Sequence, residues 1–318
     1  MCLRQKNRPS GGLTGRSARI IVVLMENTGK QPKNDVLRGT VFILIAAFFF
    51  SLLSIFVRLS GDLPVMQKAF FRNFMALLVT GCALLRSKEK VRIQPGCLPY
   101  HLLRSLFGTV GMIANFWAID RIGIADANML NKLSPFFVVL LSAPILKEKP
   151  GRVDILCVLA AFAGAVLVVR PSAGVASLPA LVGVLGGLCA GIAYTFLRKM
   201  GLKGERGAVI VVFFSAFSCL ACLPALLFDY HPMTGRQLLF LLLAGSSAAA
   251  AQLSITAAYR CAPARDISIF DYSQVLHAAL LGFLLLGEVP QRLSILGYAV
   301  IISAAVFRFV YNKRRYAA

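Results

Sequence analysis

The chain has 318 residues, of which 58% are hydrophobic and only 15% charged, with a formal net charge of +21. Soluble domains run nearer 45–50% apolar and about 25% charged, so a soluble globular fold is excluded. The charge does not mark nucleic-acid binding either: the basic residues fall between apolar segments, with no zinc-finger spacing and no basic stripe interleaved with aromatics.

Residues 1–36 are basic and loop-like and read as a disordered cytoplasmic segment; "IIVVLM" within them is too short for a signal-peptide core. Met25 opens "MENTGKQPKNDVLRG", which would serve as a cytoplasmic leader by itself, so the chain has two candidate starts. About 20 apolar residues span a bilayer as a helix. Runs between charged or Gly/Pro breaks predict ten such helices, at 38–59, 64–86, 98–119, 124–146, 151–170, 178–199, 207–228, 236–258, 264–287 and 290–311. The fold class expected is an all-α polytopic membrane protein, with 312–318 as a basic cytoplasmic tail.

Charge placement tests the count. With a cytoplasmic N-terminus, 26 basic residues fall on inner segments and 6 on outer ones, leaving Arg72 and Lys132 inside helices. One missed or invented span would scramble that alternation, so the positive-inside rule supports ten helices with both termini in the cytoplasm.

An internal repeat divides the ten. Shifting residues 118–156 by 140 positions lays "DRIGIADANMLNKLSPFF" over "RCAPARDISIFDYSQVLH" without a gap. Asp126 meets Asp266, Glu148 meets Glu288, Pro150 meets Pro290 and Arg152 meets Arg292. The halves become 37–172 and 173–311. Five is an odd number of spans, so the second half enters upside down. Inverted repeats are an architecture of secondary transporters, whose sites lie near the midplane between the halves.

The fourth predicted helix carries polar residues where lipid or packing is expected. Asn128, Asn131, Lys132 and Pro135 follow i, i+3, i+4, i+7 spacing and share a face. In the ninth, Asp271 and Gln274 share a face, flanked by Tyr272 and His277. Intramembrane charges cost several kcal/mol and ordinarily face a bundle interior or an aqueous path. Arg72 and Lys68, an i, i+4 pair on the second helix, add positive charge, and Asn73 and Asn115 add hydrogen-bonding capacity. The substrate-binding set expected is Lys132, Asn131, Asn128, Asp271, Gln274, Arg72, Asn115 and Tyr272.

At 1.5 Å rise per residue Lys132 lies about 12 Å below one surface and Asp271 about 10 Å above the other. In a hydrocarbon core about 30 Å thick, straight helices would keep the two charges apart. Only broken or strongly tilted helices would pair them, and a small molecule could bridge them instead. Other residues read more simply. Arg104 reads as an anchor at the inner end of its helix, and Lys68 could snorkel to the interface. Pro135 marks a place where a local break could free backbone groups to line a cavity. Glu148 and Glu288, each two residues before a proline, read as hairpin determinants, and Gly108, Gly111, Gly183, Gly186, Gly187 and Gly191 as close-packing positions. Cys219 and Cys222 form a C-x-x-C inside an apolar helix and read as packing residues.

The ten-helix 5+5 plan resembles the drug/metabolite transporter superfamily, specifically its EamA-type families. The resemblance covers about residues 38–311, and also rests on "A-x-A-x-x-L-x-x-L-S-P" from Ala125 to Pro135 and on the Leu-x-Glu endings at Glu148 and Glu288. The stretch "RSLFGTVGMIANFWAIDRIGIADANML" is similar to EamA members that take up S-adenosylmethionine. The resemblance implies a secondary-active transporter in the cytoplasmic (inner) membrane, working by alternating access on a small polar or zwitterionic metabolite: an amino acid, or a nucleoside-linked or drug-like compound. A lipid or lipid-linked flippase is the alternative. A scaffold would need no buried charges. With no H-E-x-x-H, paired helical aspartates or phosphate loop, no enzyme activity, cofactor, catalytic residue or metal site is expected. The partners expected are a small-molecule substrate and membrane lipids, with protons as a candidate coupling ion and no nucleic acid; monomer and homodimer both stay open.

Overall fold

The structure, a computed structural model, describes residues 36–86, 92–146, 151–169, 177–262, 267–289 and 291–317. The expected disordered segment up to residue 35, and Glu148, Pro150, Asp266 and Pro290, lie outside these. Helices follow one another throughout: α1 (Val36–Leu59), α2 (Val65–Arg86), α3 (Leu98–Ile122), α4 (Ile124–Asn131), α5 (Ser134–Leu146) and α6 (Arg152–Val169). Then come α7 (Leu178–Leu202), α8 (Gly207–Phe228), α9 (Gly235–Cys261), a 3₁₀ helix (Ser268–Tyr272), α10 (Ser273–Leu286) and α11 (Arg292–Ala317).

Seven of these, α1, α2, α3, α7, α8, α9 and α11, are long and apolar enough to cross a membrane. Leu85, Leu220, Leu276, Leu284 and Phe228 are exposed on the flanks. In water so much exposed apolar surface would drive association, whereas lipid accepts it. The chain is a polytopic membrane protein.

Helix starts follow local chemistry. Thr234 caps α9, its hydroxyl accepting from Gln237 N while the Gln237 side chain takes the Thr234 N–H. Pro99 and Pro179 sit in the first turns of α3 and α7, where a missing N–H costs nothing. At the far end α11 runs to Ala317, through the stretch expected as a tail.

Two long runs are interrupted. The stretch predicted as one helix over 124–146 is two, α4 and α5, separated by a turn at Lys132 and Leu133. The break precedes Pro135, which falls in the first turn of α5 where its ring is tolerated. In the ninth predicted span the tighter 3₁₀ turn over Ser268–Tyr272 runs directly into α10. The two interruptions fall at matching places under the 140-residue shift.

Packing comes in matched sets. α1 lies along α9 as α3 lies along α7, α5 leans on α7 as α10 leans on α1, and α2–α8 and α6–α11 complete the set. Small residues permit the approaches. A Cβ on Gly187 would meet the Leu130 carbonyl oxygen at 2.6 Å, and one on Gly111 would meet the Gly186 carbonyl at 3.1 Å. Gly187→Ala is therefore expected to cost about 1–3 kcal/mol through overpacking against backbone. A thermal melt of the purified protein checks this, with Gly201→Ala, whose added carbon meets nothing within 4 Å, as the neutral comparison.

Candidate functional site

A central cavity of about 80 Å³ lies where the two interruptions meet, lined from α1, α2, α3, α7, α8, α9, α10 and the α4–α5 break. Its polar lining is Ser54, Arg72, Arg104, Asn115, Asn131, Lys132, Gln252 and Gln274, with Phe50, Phe116, Tyr194 and Phe214 as aromatic walls. Sites for metabolite-sized ligands run to about 300–1,000 Å³, so this conformation leaves little free space at its centre.

The turn between α4 and α5 puts Lys132 at that centre. Its Nζ donates to Asp271 Oδ2 at 2.5 Å, both side chains being buried. The expectation that these charges stand apart is corrected: both helices are interrupted at the residues concerned, and the straight-helix rise no longer measures their depth. The same interruption frees the Lys132 carbonyl from α4, and the Tyr272 hydroxyl donates to it at 2.9 Å. Asn128 bonds Ser54 and accepts from Gln274 Nε2 at 3.1 Å, and Ser51 donates to the Gln274 carbonyl. One network thus ties α1, α4 and α10 behind the cavity wall.

Of the residues expected from sequence, Lys132, Asn131, Gln274, Arg72 and Asn115 line the cavity. Asn128, Asp271 and Tyr272 are buried behind that lining, holding the residues that do. Lys68 does not snorkel: it is buried and paired with Asp120 at 2.8 Å. Arg104 is not an interfacial anchor. It is 2% exposed, lines the cavity, and bonds Gln252 Oε1 at 3.2 Å.

The reading of the sequence passed over Gln252, Tyr194 and Phe214. Gln252 carried a signal, as the one amide between Gln237 and Arg260 in an otherwise apolar and small-residue helix. The two aromatics carried none, since aromatic residues recur throughout these helices.

Arg72 and Arg104 share the ring of Phe214, their guanidinium carbons 5.9 and 4.0 Å from its centroid. Among the described residues Arg72 otherwise bonds only Asn73 Oδ1 and the Met112 sulfur, a weak acceptor. Among the described residues neither guanidinium has a carboxylate within ion-pair distance, and each Nε is buried without a partner.

Beyond the cavity, polar ties cross each end of the bundle. At one end Lys68 pairs with Asp120, Arg58 donates to the Asp120 carbonyl at 2.8 Å and pairs with Glu288 at 3.4 Å, and Glu288 accepts from Ile124 N at 3.0 Å. Gly123, at φ 87°, passes directly beside that carboxylate. At the other end Glu205 and His101 meet at 3.3 Å, fully buried, and Glu205 accepts from Gln94 N.

The description of the EamA-like transporter family matches residues 37–170 and again 177–310. The chain belongs to the EamA-like transporter family. This family member is 30% identical over 276 residues to the pseudopaline exporter CntI of Pseudomonas aeruginosa (strain UCBPP-PA14), covering 86% of this chain and 96% of that protein. It is 27% identical over 286 residues to a riboflavin transporter of Vibrio cholerae, covering 86% and 94%. A solved crystal structure superposes with a TM-score of 0.65 at 20% identity, covering 87% of this chain and 98% of the other, a likeness of fold. Family and relatives are transporters rather than enzymes, and their names point to small-molecule substrates.

Proposed function

We propose that this EamA family member is a secondary-active carrier that moves a small polar, anionic or zwitterionic metabolite across the cytoplasmic membrane by alternating access. The observation that carries this is the central cavity: buried charges and amides gathered where two interrupted helices meet, closed by polar ties at both ends. The reading includes ten membrane-spanning helices as two inverted five-helix repeats, with both termini in the cytoplasm. Matched helix pairings and interruptions, together with the doubled family match, support that plan. Relatives named for pseudopaline and riboflavin agree with an organic metabolite as cargo.

Lys132, Asn131, Gln274, Arg72 and Asn115 are the proposed contacts, with Asn128, Tyr272 and Asp271 holding them. Asp271 is also the proposed proton carrier. A substrate anion that draws Lys132 aside leaves Asp271 as a lone buried carboxylate, and proton uptake is then the least costly way to neutralise it. The loaded carrier would thereby hold a proton together with its cargo.

A thermal-shift screen of the purified protein against amino acids, nucleosides and organic acids finds the ligand, because binding to the folded state raises apparent stability. In proteoliposomes, Asp271→Asn is expected to slow gradient-driven transport of that ligand by at least about tenfold, or about 1.4 kcal/mol. Unchanged transport by the variant would remove Asp271 from the mechanism.

A further inference from the structure

We infer that the cargo is an organic acid carrying two separated negative charges, held between Arg72 and Arg104. The inference rests on the carrier reading above and narrows its substrate class. Both guanidiniums are almost wholly buried and line the same cavity from different helices, α2 and α3. Their shared ring places the two carbons within about 10 Å of each other, a separation at which like charges repel unless water or counter-charge intervenes.

Among the described residues, everything each arginine bonds is neutral: Asn73 and Met112 for Arg72, Gln252 for Arg104. The face of Phe214 adds only a quadrupole's worth of stabilisation to both. In this conformation Lys132 adds no unmatched charge, since Asp271 pairs with it from behind the wall. Among the described residues no Asp or Glu lines the cavity. Two uncompensated cations in a low-dielectric centre are costly, and leaving them so is useful when the missing charge arrives with the ligand.

Guanidinium forks favour carboxylate and phosphate geometry because parallel N–H groups meet paired oxygens, and each arginine keeps a buried Nε–H unused. Asn115 Oδ1, also buried without a partner and on the same cavity, offers an acceptor for a hydroxyl or amine of the cargo. A cationic ligand would meet two like charges. A neutral one would leave both arginines uncompensated.

The test is a thermal-shift titration of the purified full-length protein with the straight-chain dicarboxylates succinate, glutarate, adipate and pimelate, at constant ionic strength. Glutamine and 1,5-diaminopentane serve as zwitterion and dication of similar length. Dicarboxylates are expected to stabilise the protein, the diamine not, and the apparent affinity of the best acid to fall at least tenfold in Arg72→Gln and in Arg104→Gln. Arg104→Lys keeps the charge without the fork; an intermediate loss in that variant supports the inference even if Arg104→Gln fails to fold. Equal stabilisation of wild type and both glutamine variants, or no stabilisation by any diacid, overturns it. Stabilisation by glutamine or the diamine that depends on Lys132 but not on the arginines overturns the diacid while leaving the carrier's cavity intact. Ligand effects insensitive to Lys132, Arg72 and Arg104 alike would overturn both readings.

Discussion

Lys132→Met is expected to lower the stability of the purified protein by about 3–5 kcal/mol and to abolish transport, while Lys132→Met/Asp271→Asn regains most of the stability and none of the transport. The asymmetry follows from burial. Both members of the pair are nearly inaccessible, and Asp271 Oδ1 has no other partner among the described residues. Removing the ammonium strands a carboxylate in low dielectric, whereas removing both charges strands nothing. For a chain of this size the single loss corresponds to a fall in Tm on the order of 10 °C. Scanning fluorimetry of the two variants reads the stability, and uptake into proteoliposomes reads the function. Transport should stay lost because the pair joins the two helix interruptions, the elements best placed to hold two discrete arrangements. A double variant that transports at the wild-type rate would make the pair structural only.

Much of the helix plan could be read in advance, since apolar runs and their charged boundaries are local properties. Observed ends fall within a few residues of those expected at Leu59, Arg86, Phe228 and Leu286. The interruptions were legible only in part. Pro135 signalled a break near the polar face, but the turn came at Lys132 and Leu133, since proline is accommodated just inside the helix that follows. The pairing of Lys132 with Asp271 was not legible, because rise along a straight helix is the only ruler a sequence provides and both helices depart from it. Arg104 failed for a related reason. Counted from the start of α3 it sits near an interface, yet that end is covered: His101 and Glu205, which pair beside it, are fully buried. Depth in the protein and distance from a helix end are different quantities. Lys68 repeats the lesson, buried by a carboxylate on α3 that no local pattern links to it.

The second large effect concerns the end of the bundle closed by Arg58, Lys68, Asp120 and Glu288. A broad vestibule of about 710 Å³ lies there, lined in part by Arg58, Asp120, Arg121 and His231, and it shares no lining residue with the central cavity. At its wall stand the Lys68–Asp120 pair, 1% and 21% exposed, and the Arg58–Glu288 contact, 35% and 25% exposed. Exposure makes the second contact weak by itself. Glu288, however, also accepts from Ile124 N at the start of α4, so one carboxylate links α1, α4 and the segment after α10. Asp120→Asn combined with Glu288→Gln is therefore expected to favour conformations open at this end. If the two changes together withdraw about 1.4 kcal/mol from the closed state, the open population rises about tenfold. A cysteine at Met112, which lines the cavity, placed in an otherwise cysteine-free chain, reports that opening through its labelling rate with a membrane-impermeant thiol reagent added on the vestibule side. Glu205→Gln, at the opposite end, should leave that rate unchanged or lower it. Equal acceleration by both sets would mean general loosening of the bundle, and no acceleration by the first would mean that the apolar packing of α1, α3 and α10, rather than these polar ties, holds this end shut.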